Sequence, residues 1–197
     1  IFLSMTISAL ISCILVLGII LNKNYETNIQ KENERTVNSF SSIANNIEES
    51  LAKYKNLKSQ DIISTYNSYY QKDDFQFAYI NENKIEYSVN KNLVNNIYDE
   101  ILTVKNDVFF SKIVQVEENY YLYVATAFKD DITQKIIGIK DITYIYEAQS
   151  EIKFYGIVII LFATLFITII SFTISKNITK QLEYMAKGAK RISKGDY

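Results

Sequence analysis

Two long runs of uncharged, mostly apolar residues frame the chain, at residues 1–21 and 154–175. A helix rises about 1.5 Å per residue, so each run forms roughly 30 Å of helix, the thickness of the hydrocarbon layer of a bilayer. The pattern predicts two transmembrane helices. The first run lacks a small-x-small cleavage site, so we expect an uncleaved anchor. Because Ile1 opens the chain with no basic residue ahead of the run, we expect a fragment lacking its first few residues.

Between the two runs, helical and strand-like periods alternate along residues 22–153. Three- and four-residue spacing of apolar positions predicts that the first helix continues to about Leu57. Asp61 is predicted to be the N-cap of a short helix ending at Tyr70. Helical spacing returns at residues 93–102 and at residues 144–153, where the helix leads into the second apolar run.

Alternation with period two predicts five β-strands in the same segment. Residues 81–83 and 117–119 have the composition of hairpin turns, as do residues 129–131. The predicted fold class is α+β: two transmembrane helices flank an outer domain that has a long N-terminal helix and a five-stranded antiparallel sheet. The predicted strands cover residues 75–79, 85–89, 108–116, 120–128 and 135–142.

Charge predicts the orientation in the membrane. Residues 176–197 carry six basic and two acidic side chains, whereas residues 22–153 carry 15 basic and 20 acidic ones. By the positive-inside tendency, the C-terminal segment is cytoplasmic and the middle segment is extracytoplasmic, in a multi-pass membrane protein. The net charge of −1 and the lack of a large basic face argue against nucleic acid as a partner.

Apolar residues recur after the second run at spacings of four and three, which is typical of a parallel coiled-coil seam. The segments 178–183 and 191–197, with the Gly195-Asp196 pair, resemble the first helix of a HAMP linker of bacterial sensor kinases and chemoreceptors. Gln181 departs from that family, which usually has proline there. The alternative is a basic amphipathic helix on the inner leaflet. The seam consists of Ile178, Leu182, Met185, Ala189 and Ile192.

The order of elements in residues 22–153 resembles the extracytoplasmic PAS-like or single Cache domain of bacterial membrane receptors. A four-helix-bundle sensor is the alternative, and the density of aromatic and β-branched residues argues against it. The expected organisation has four parts. They are transmembrane helix 1 (1–21), a PAS-like/Cache sensor domain (22–153), transmembrane helix 2 (154–175) and a truncated HAMP helix (176–197).

The composition excludes several kinds of catalytic site in this segment. There is no His, and the five Gly form no phosphate-binding loop. Cys13 is the single cysteine, so the chain forms no internal disulfide. The acidic pairs 117–118 and 130–131 could bind a divalent cation, but solvated turn residues are the favoured interpretation. We therefore predict no catalytic residue, metal site or cofactor within these residues.

The family resemblance implies a small-molecule site against the central sheet, under the hairpin and the helix that follows it. The alternative interpretation is that the candidate tyrosines are structural residues, in the core or at its rim. Arg35 is the only arginine of the middle segment and lies in the long helix, which disfavours dicarboxylate sensing. The candidate ligand-binding residues are Tyr79, Tyr87, Tyr121, Tyr123, Lys140 and Asp141.

The resemblance also implies a function. We expect a homodimeric transmembrane receptor of a two-component system, with a histidine kinase core beyond Tyr197 that uses ATP and Mg²⁺ and passes phosphate to a response regulator. A methyl-accepting chemotaxis receptor with the same sensory front end is the alternative, and a cyclic-dinucleotide enzyme ranks third. The residues present do not identify the extracytoplasmic stimulus.

Overall fold

The computed structural model describes residues 2–73, 75–105 and 108–193. Of these, the side chains of residues 2–6, 9, 10, 73, 191 and 192 lie outside the described set. The chain divides into two compact units, Tyr25–Gln149 on the one hand and Ile1–Asn24 with Ser150–Tyr197 on the other.

The described chain contains five helices, five strands and a 3₁₀ turn at Gln71–Asp73. This confirms the predicted α+β class, with its long N-terminal helix and five-stranded sheet. The helices are α1 (Phe2–Lys53), α2 (Ser59–Tyr70), α3 (Lys91–Asn95), α4 (Tyr98–Leu102) and α5 (Thr143–Ser193). The strands are β1 (Phe75–Asn81), β2 (Lys84–Ser88), β3 (Phe110–Val116), β4 (Asn119–Ala127) and β5 (Lys135–Asp141).

All strand pairs are antiparallel, in the order β2-β1-β5-β4-β3. The last strand in sequence therefore lies at the centre of the sheet. The turns that join β1 to β2 and β3 to β4 contain left-handed backbone at residues other than glycine. Glu82 and Asn83 have φ of 48° and 59°, as a two-residue hairpin loop of the mirror-image type requires, and Glu117 has φ of 57°.

Two predicted helix boundaries were wrong. The N-cap of α2 is Lys58, in extended conformation, so Asp61 is not the N-cap. Asp61 lies in the first turn, where its carboxylate is favourably placed near the positive end of the helix dipole. The long helix α1 ends at Lys53, four residues before Leu57.

The helix predicted for residues 93–102 is two short helices. Ile97 has φ −130° and ψ 10°, which interrupts the helical backbone between α3 and α4. Asn90 caps α3 through its side-chain oxygen, which accepts from the backbone N–H groups of Asn92 and Leu93. Of the strands, the third begins at Phe110, whereas alternation predicted residue 108.

The sheet of the Tyr25–Gln149 unit has a hydrophobic core on each face. Successive side chains of a strand point to opposite faces, so each strand supplies both cores. On one face α1 contributes Phe40, Ile43 and Ile47, which pack with Phe77 of β1. On the other face the short helices α3 and α4 contribute Leu93, Val94, Ile97 and Ile101.

Within the described residues one helix, α5, is long and apolar enough to cross a membrane, over the stretch Thr143–Lys190. Its large apolar side chains are exposed, for example Phe162, Phe166 and Phe172 at 65–69%. A core helix of a soluble protein would bury such side chains. The other predicted span lies in α1, whose first side chains are outside the described set, and it stays a prediction.

The segment predicted as a HAMP helix continues α5. Ile178, Leu182 and Met185 of the seam are exposed, at 44%, 60% and 72%. Ala189 is also exposed. The side chain of Ile192 and the whole of Gly195-Asp196 lie outside the described residues.

Candidate functional site

The sheet separates the six residues predicted to bind a ligand. Tyr79 and Tyr87 are directly opposite each other on β1 and β2, and both belong to the core that α1 covers. Tyr121 and Tyr123 of β4 belong to the core that α3 and α4 cover. Asp141 pairs with Tyr121 and so shares its face. The predicted set therefore does not form one pocket.

Tyr79 and Tyr123 are buried parts of the two cores. The Tyr79 hydroxyl donates to Gln134 Oε1 at 2.7 Å, and the Tyr123 hydroxyl donates to the backbone oxygen of Leu93 at 3.0 Å. Burial raises the pKa of Tyr79 above its ordinary value and raises the pKa of Tyr123 to about 12. Both hydroxyls thus stay neutral and hydrogen-bonded within the protein.

Asp141 connects the central strand to α5. Its Oδ1 accepts a hydrogen bond from the backbone N–H of Thr143 at 2.9 Å, and the Thr143 hydroxyl accepts one from the backbone N–H of Tyr120 at 2.9 Å. The backbone N–H of Ile142 donates to the Tyr120 oxygen at 2.9 Å. These bonds attach the first turn of α5 to the beginning of β4, so Asp141 has a structural partner of its own.

Lys140 projects to the face that α1 covers. Its Nζ lies 2.7 Å from Glu32 Oε1, and the two side chains are only 16% and 10% exposed. The same Nζ lies 5.5 Å from the ring centroid of Phe75. The Thr36 hydroxyl donates to Glu32 at 3.5 Å. A buried charge needs such partners because leaving water costs several kcal/mol for each ion.

Lys140 and Glu32 line a cleft of about 470 Å³ between α1 and the sheet. Arg35, Thr36 and Ser39 of α1 also line it, and Phe75 lies on the side of the sheet. Arg35 is exposed, and no hydrogen bond or ion pair involves it in the part of the chain that the structure describes. The cleft thus combines two cationic groups with a single carboxylate.

Sequence reasoning missed this cleft, although a signal was present. Glu32, Arg35, Thr36 and Ser39 recur at three- and four-residue spacing, beside the apolar stripe that contains Phe40. From its place in the long helix alone, Arg35 is predicted to lie away from a ligand. The structure puts Arg35 on the same cleft as Lys140, so an arginine is available to a carboxylate there.

A second cleft, of about 340 Å³, lies near the C-terminal end of α1. Asp131 lines it, but its carboxylate accepts hydrogen bonds from Thr133 and Gln134, which hold its pKa below the ordinary value. Glu48 accepts from the backbone N–H of Lys129 at 2.7 Å. Among the residues that the structure describes, no three His, Cys, Asp or Glu side chains come together as metal ligands would.

No family model, curated protein or solved structure matches the chain. The class that the fold defines is an α+β domain with an antiparallel sheet between two helical layers. Helix α5, which follows the central strand of that sheet, is long and apolar enough to span a membrane.

Proposed function

We propose that the chain is the sensory and transmembrane portion of a bacterial membrane receptor, with residues 22–153 outside the cell and the basic C-terminal segment in the cytoplasm. One observation carries this proposal: the central strand β5 leads within two residues into α5, and α5 continues through the apolar run to Ser193. A change at the sheet has a direct covalent route to the helix that crosses the membrane.

The output proposed is a histidine kinase of a two-component system. Its catalytic core, C-terminal to this segment, would autophosphorylate from ATP and Mg²⁺ and transfer phosphate to a response regulator. The support is the HAMP-like spacing of residues 178–192 and its exposed apolar seam. A chemotaxis receptor has the same front end and is the second candidate.

A homodimer is part of the proposal. The seam residues Ile178, Leu182 and Met185 expose an apolar stripe that a second copy of the helix would cover. In the proposed first span, Ser8 and Ser12 share a face at four-residue spacing with Ser4, whose side chain lies outside the described set. Small residues at this spacing let membrane helices approach closely.

The topology is tested by cysteine labelling in a Cys13→Ser background. Lys84→Cys, in the exposed β1–β2 hairpin, should react with a membrane-impermeant maleimide on intact bacterial cells, whereas Lys187→Cys should react only after lysis. The Cys13→Ser chain without a new cysteine measures the background. Labelling of Lys187→Cys on intact cells, with Lys84→Cys protected, would refute the proposed orientation.

The output class is tested on the complete reading frame. Purified membranes incubated with labelled ATP should show an acid-labile, alkali-stable phosphoryl group on the receptor if it is a histidine kinase. A receptor that takes up no phosphate but increases the activity of a separate kinase would favour the chemotaxis class.

A further inference from the structure

We propose that the cleft lined by Glu32, Arg35 and Lys140 binds a small organic monocarboxylate, with the Arg35 guanidinium as its principal ligand. The inference rests on the proposed sensory role and names the class of molecule sensed. It assigns the ligand to the face of the sheet under α1, not to the face under α3 and α4.

Arg35 is the group in the cleft that is best suited to bind a carboxylate. Guanidinium groups present a planar set of donors that matches the two oxygens of a carboxylate. In the described part of the chain Arg35 makes no ion pair or hydrogen bond, and it is exposed at the margin of the cleft. Glu34, next to it in sequence, accepts from Gln30 at 3.0 Å instead. The donors of Arg35 are therefore available to a ligand.

The charged side chains of the cleft do not balance. Arg35 and Lys140 are cationic and Glu32 is anionic, so these three side chains leave one positive charge uncompensated. A ligand with one negative charge neutralises the cleft. A dianion would bring a second negative charge close to Glu32, and repulsion between like charges in a partly buried site opposes its binding. A monocarboxylate is thus favoured over a dicarboxylate or a phosphate dianion.

The size and the lining of the cleft suit a small organic molecule. A volume of about 470 Å³ lies within the usual range of small-molecule sites. Beside the charged groups, the cleft is lined by Ile43 and by the aromatic side chains Phe75, Tyr70 and Tyr144. These surfaces suit the apolar body of an organic acid, while Thr36 and Ser39 add hydroxyl groups. An inorganic anion would leave the apolar lining unused.

The buried ion pair supplies the link to the rest of the domain. Lys140 on β5 is bound to Glu32 on α1 at 2.7 Å, and it is followed directly by Asp141, which caps the beginning of α5. A carboxylate held by Arg35 can share the Lys140 ammonium and weaken its bond to Glu32. Ligand binding would then alter the contact between α1 and the β5–α5 junction, which is the place where the proposed signal begins.

The probe is benzoate, which has one carboxylate and one ring. The full chain is reconstituted in lipid nanodiscs and treated with phenylglyoxal, and modified arginines are quantified by mass spectrometry. The arginines of the chain are Arg35 and Arg191, so Arg191 is an internal reference. We expect benzoate to slow modification of Arg35 by about tenfold at saturation, which a shielded bidentate guanidinium implies. Modification of Arg191 should not change.

Variants separate a specific clamp from general electrostatic attraction. Arg35→Lys keeps the positive charge but loses the planar pair of N–H donors that binds both oxygens of a carboxylate. It should weaken benzoate binding by about tenfold in isothermal titration. The control is Lys31→Gln, which removes an exposed cation four residues away on the same helix. It should change the affinity by less than about twofold, because exposed charges contribute little.

Four outcomes would overturn the inference. Equal protection of Arg35 by uncharged benzamide would mean that the cleft recognises only the ring. Protection by inorganic phosphate and not by benzoate would refute the carboxylate assignment. Unchanged modification of Arg35 with both anions, or equal losses of affinity in Arg35→Lys and Lys31→Gln, would show that no such site exists. Nanodiscs expose both sides of the membrane, so these results do not depend on the topology that cysteine labelling tests.

Discussion

The two faces of the sheet are built differently. On the face under α3 and α4, the buried members of the hydrophobic core are aliphatic except for Tyr123. Lys135 is also buried, and it donates to the Ile132 oxygen at 2.9 Å. On the face under α1, the buried side chains include the polar residues Glu32, Thr36 and Asn67. Glu32 also forms an ion pair with Lys140 on this face. The clefts that contain charged residues also lie against α1.

The difference indicates which face of the sheet resists rearrangement and which face can respond to a ligand. Apolar packing has one well-packed arrangement and resists change, whereas a buried ion pair can be exchanged for an ion pair with a ligand. Such a pair is weak evidence for stability, because desolvation offsets its attraction. We therefore interpret the α1 face as the responsive side, and the following changes test that interpretation.

The largest effect is expected from Lys140→Met. It leaves Glu32 buried without its cation, so the free energy of unfolding should fall by about 3–5 kcal/mol. The measurement is urea unfolding of the full chain in nanodiscs, followed by tyrosine fluorescence, which is usable because the chain has no Trp. The double variant Glu32→Gln, Lys140→Met should recover to within about 1 kcal/mol of the parent. If the double variant is as unstable as the single one, the pair is a stabilising element and not an exchangeable one.

Asn67→Leu should have the next largest effect. The Asn67 side chain acts as a strand partner for Phe77: its Oδ1 accepts from the Phe77 N–H at 2.7 Å and its Nδ2 donates to the Phe77 oxygen at 3.0 Å. Leucine would leave both backbone groups unsatisfied, at a cost of about 2–4 kcal/mol in the same unfolding experiment. Ser68→Ala, an exposed change on the same helix, is the control and should stay within about 0.5 kcal/mol.

Gly138→Ala tests how tightly α1 packs on the central strand. A Cβ at this position would lie 2.6 Å from Phe40 Cδ2, closer than atoms can approach. The alanine variant should be destabilised by about 1–3 kcal/mol, because the Phe40 ring must move within a packed core. In the double variant Gly138→Ala, Phe40→Leu, the loss of unfolding free energy should be smaller than the sum of the two single losses. Additive losses would show that the ring is not what the new methyl group meets.

The smallest effect at neutral pH is expected for Tyr123→Phe, on the other face. Loss of the hydrogen bond to the Leu93 oxygen should cost about 1 kcal/mol. The pKa of Tyr123 is raised in the folded state from 10.0 to about 12, so its contribution is present below pH 10 and is lost as the pH rises towards 12. The parent should lose stability over this interval more steeply than the variant, as urea titrations at pH 9 and 11 would measure. Equal slopes would contradict a buried, neutral Tyr123.

What could be predicted from the sequence depends on local backbone geometry. Strand alternation has a period of two residues and helix spacing a period of 3.6, and each repeats within a few residues of the chain. The five strands, the hairpin turn at residues 81–83 and the long N-terminal helix were therefore predicted close to their observed bounds. The apolar run in α5 needed only length and composition, which are also local properties.

Tertiary structure alone decided which side chains meet. The order β2-β1-β5-β4-β3 places the last strand at the centre, so Lys140 comes to lie against Glu32, 108 positions earlier in the chain. It also puts Tyr79 and Tyr123 on opposite faces, although alternation alone marks both as inward residues. The periodicity of a strand fixes which of its residues share a face, but which strand lies beside it and which helix covers it depend on long-range pairing. The sequence by itself therefore determined the elements and the apolar helix, whereas the cleft with Arg35 and Lys140 exists only through the packing of α1 on β5.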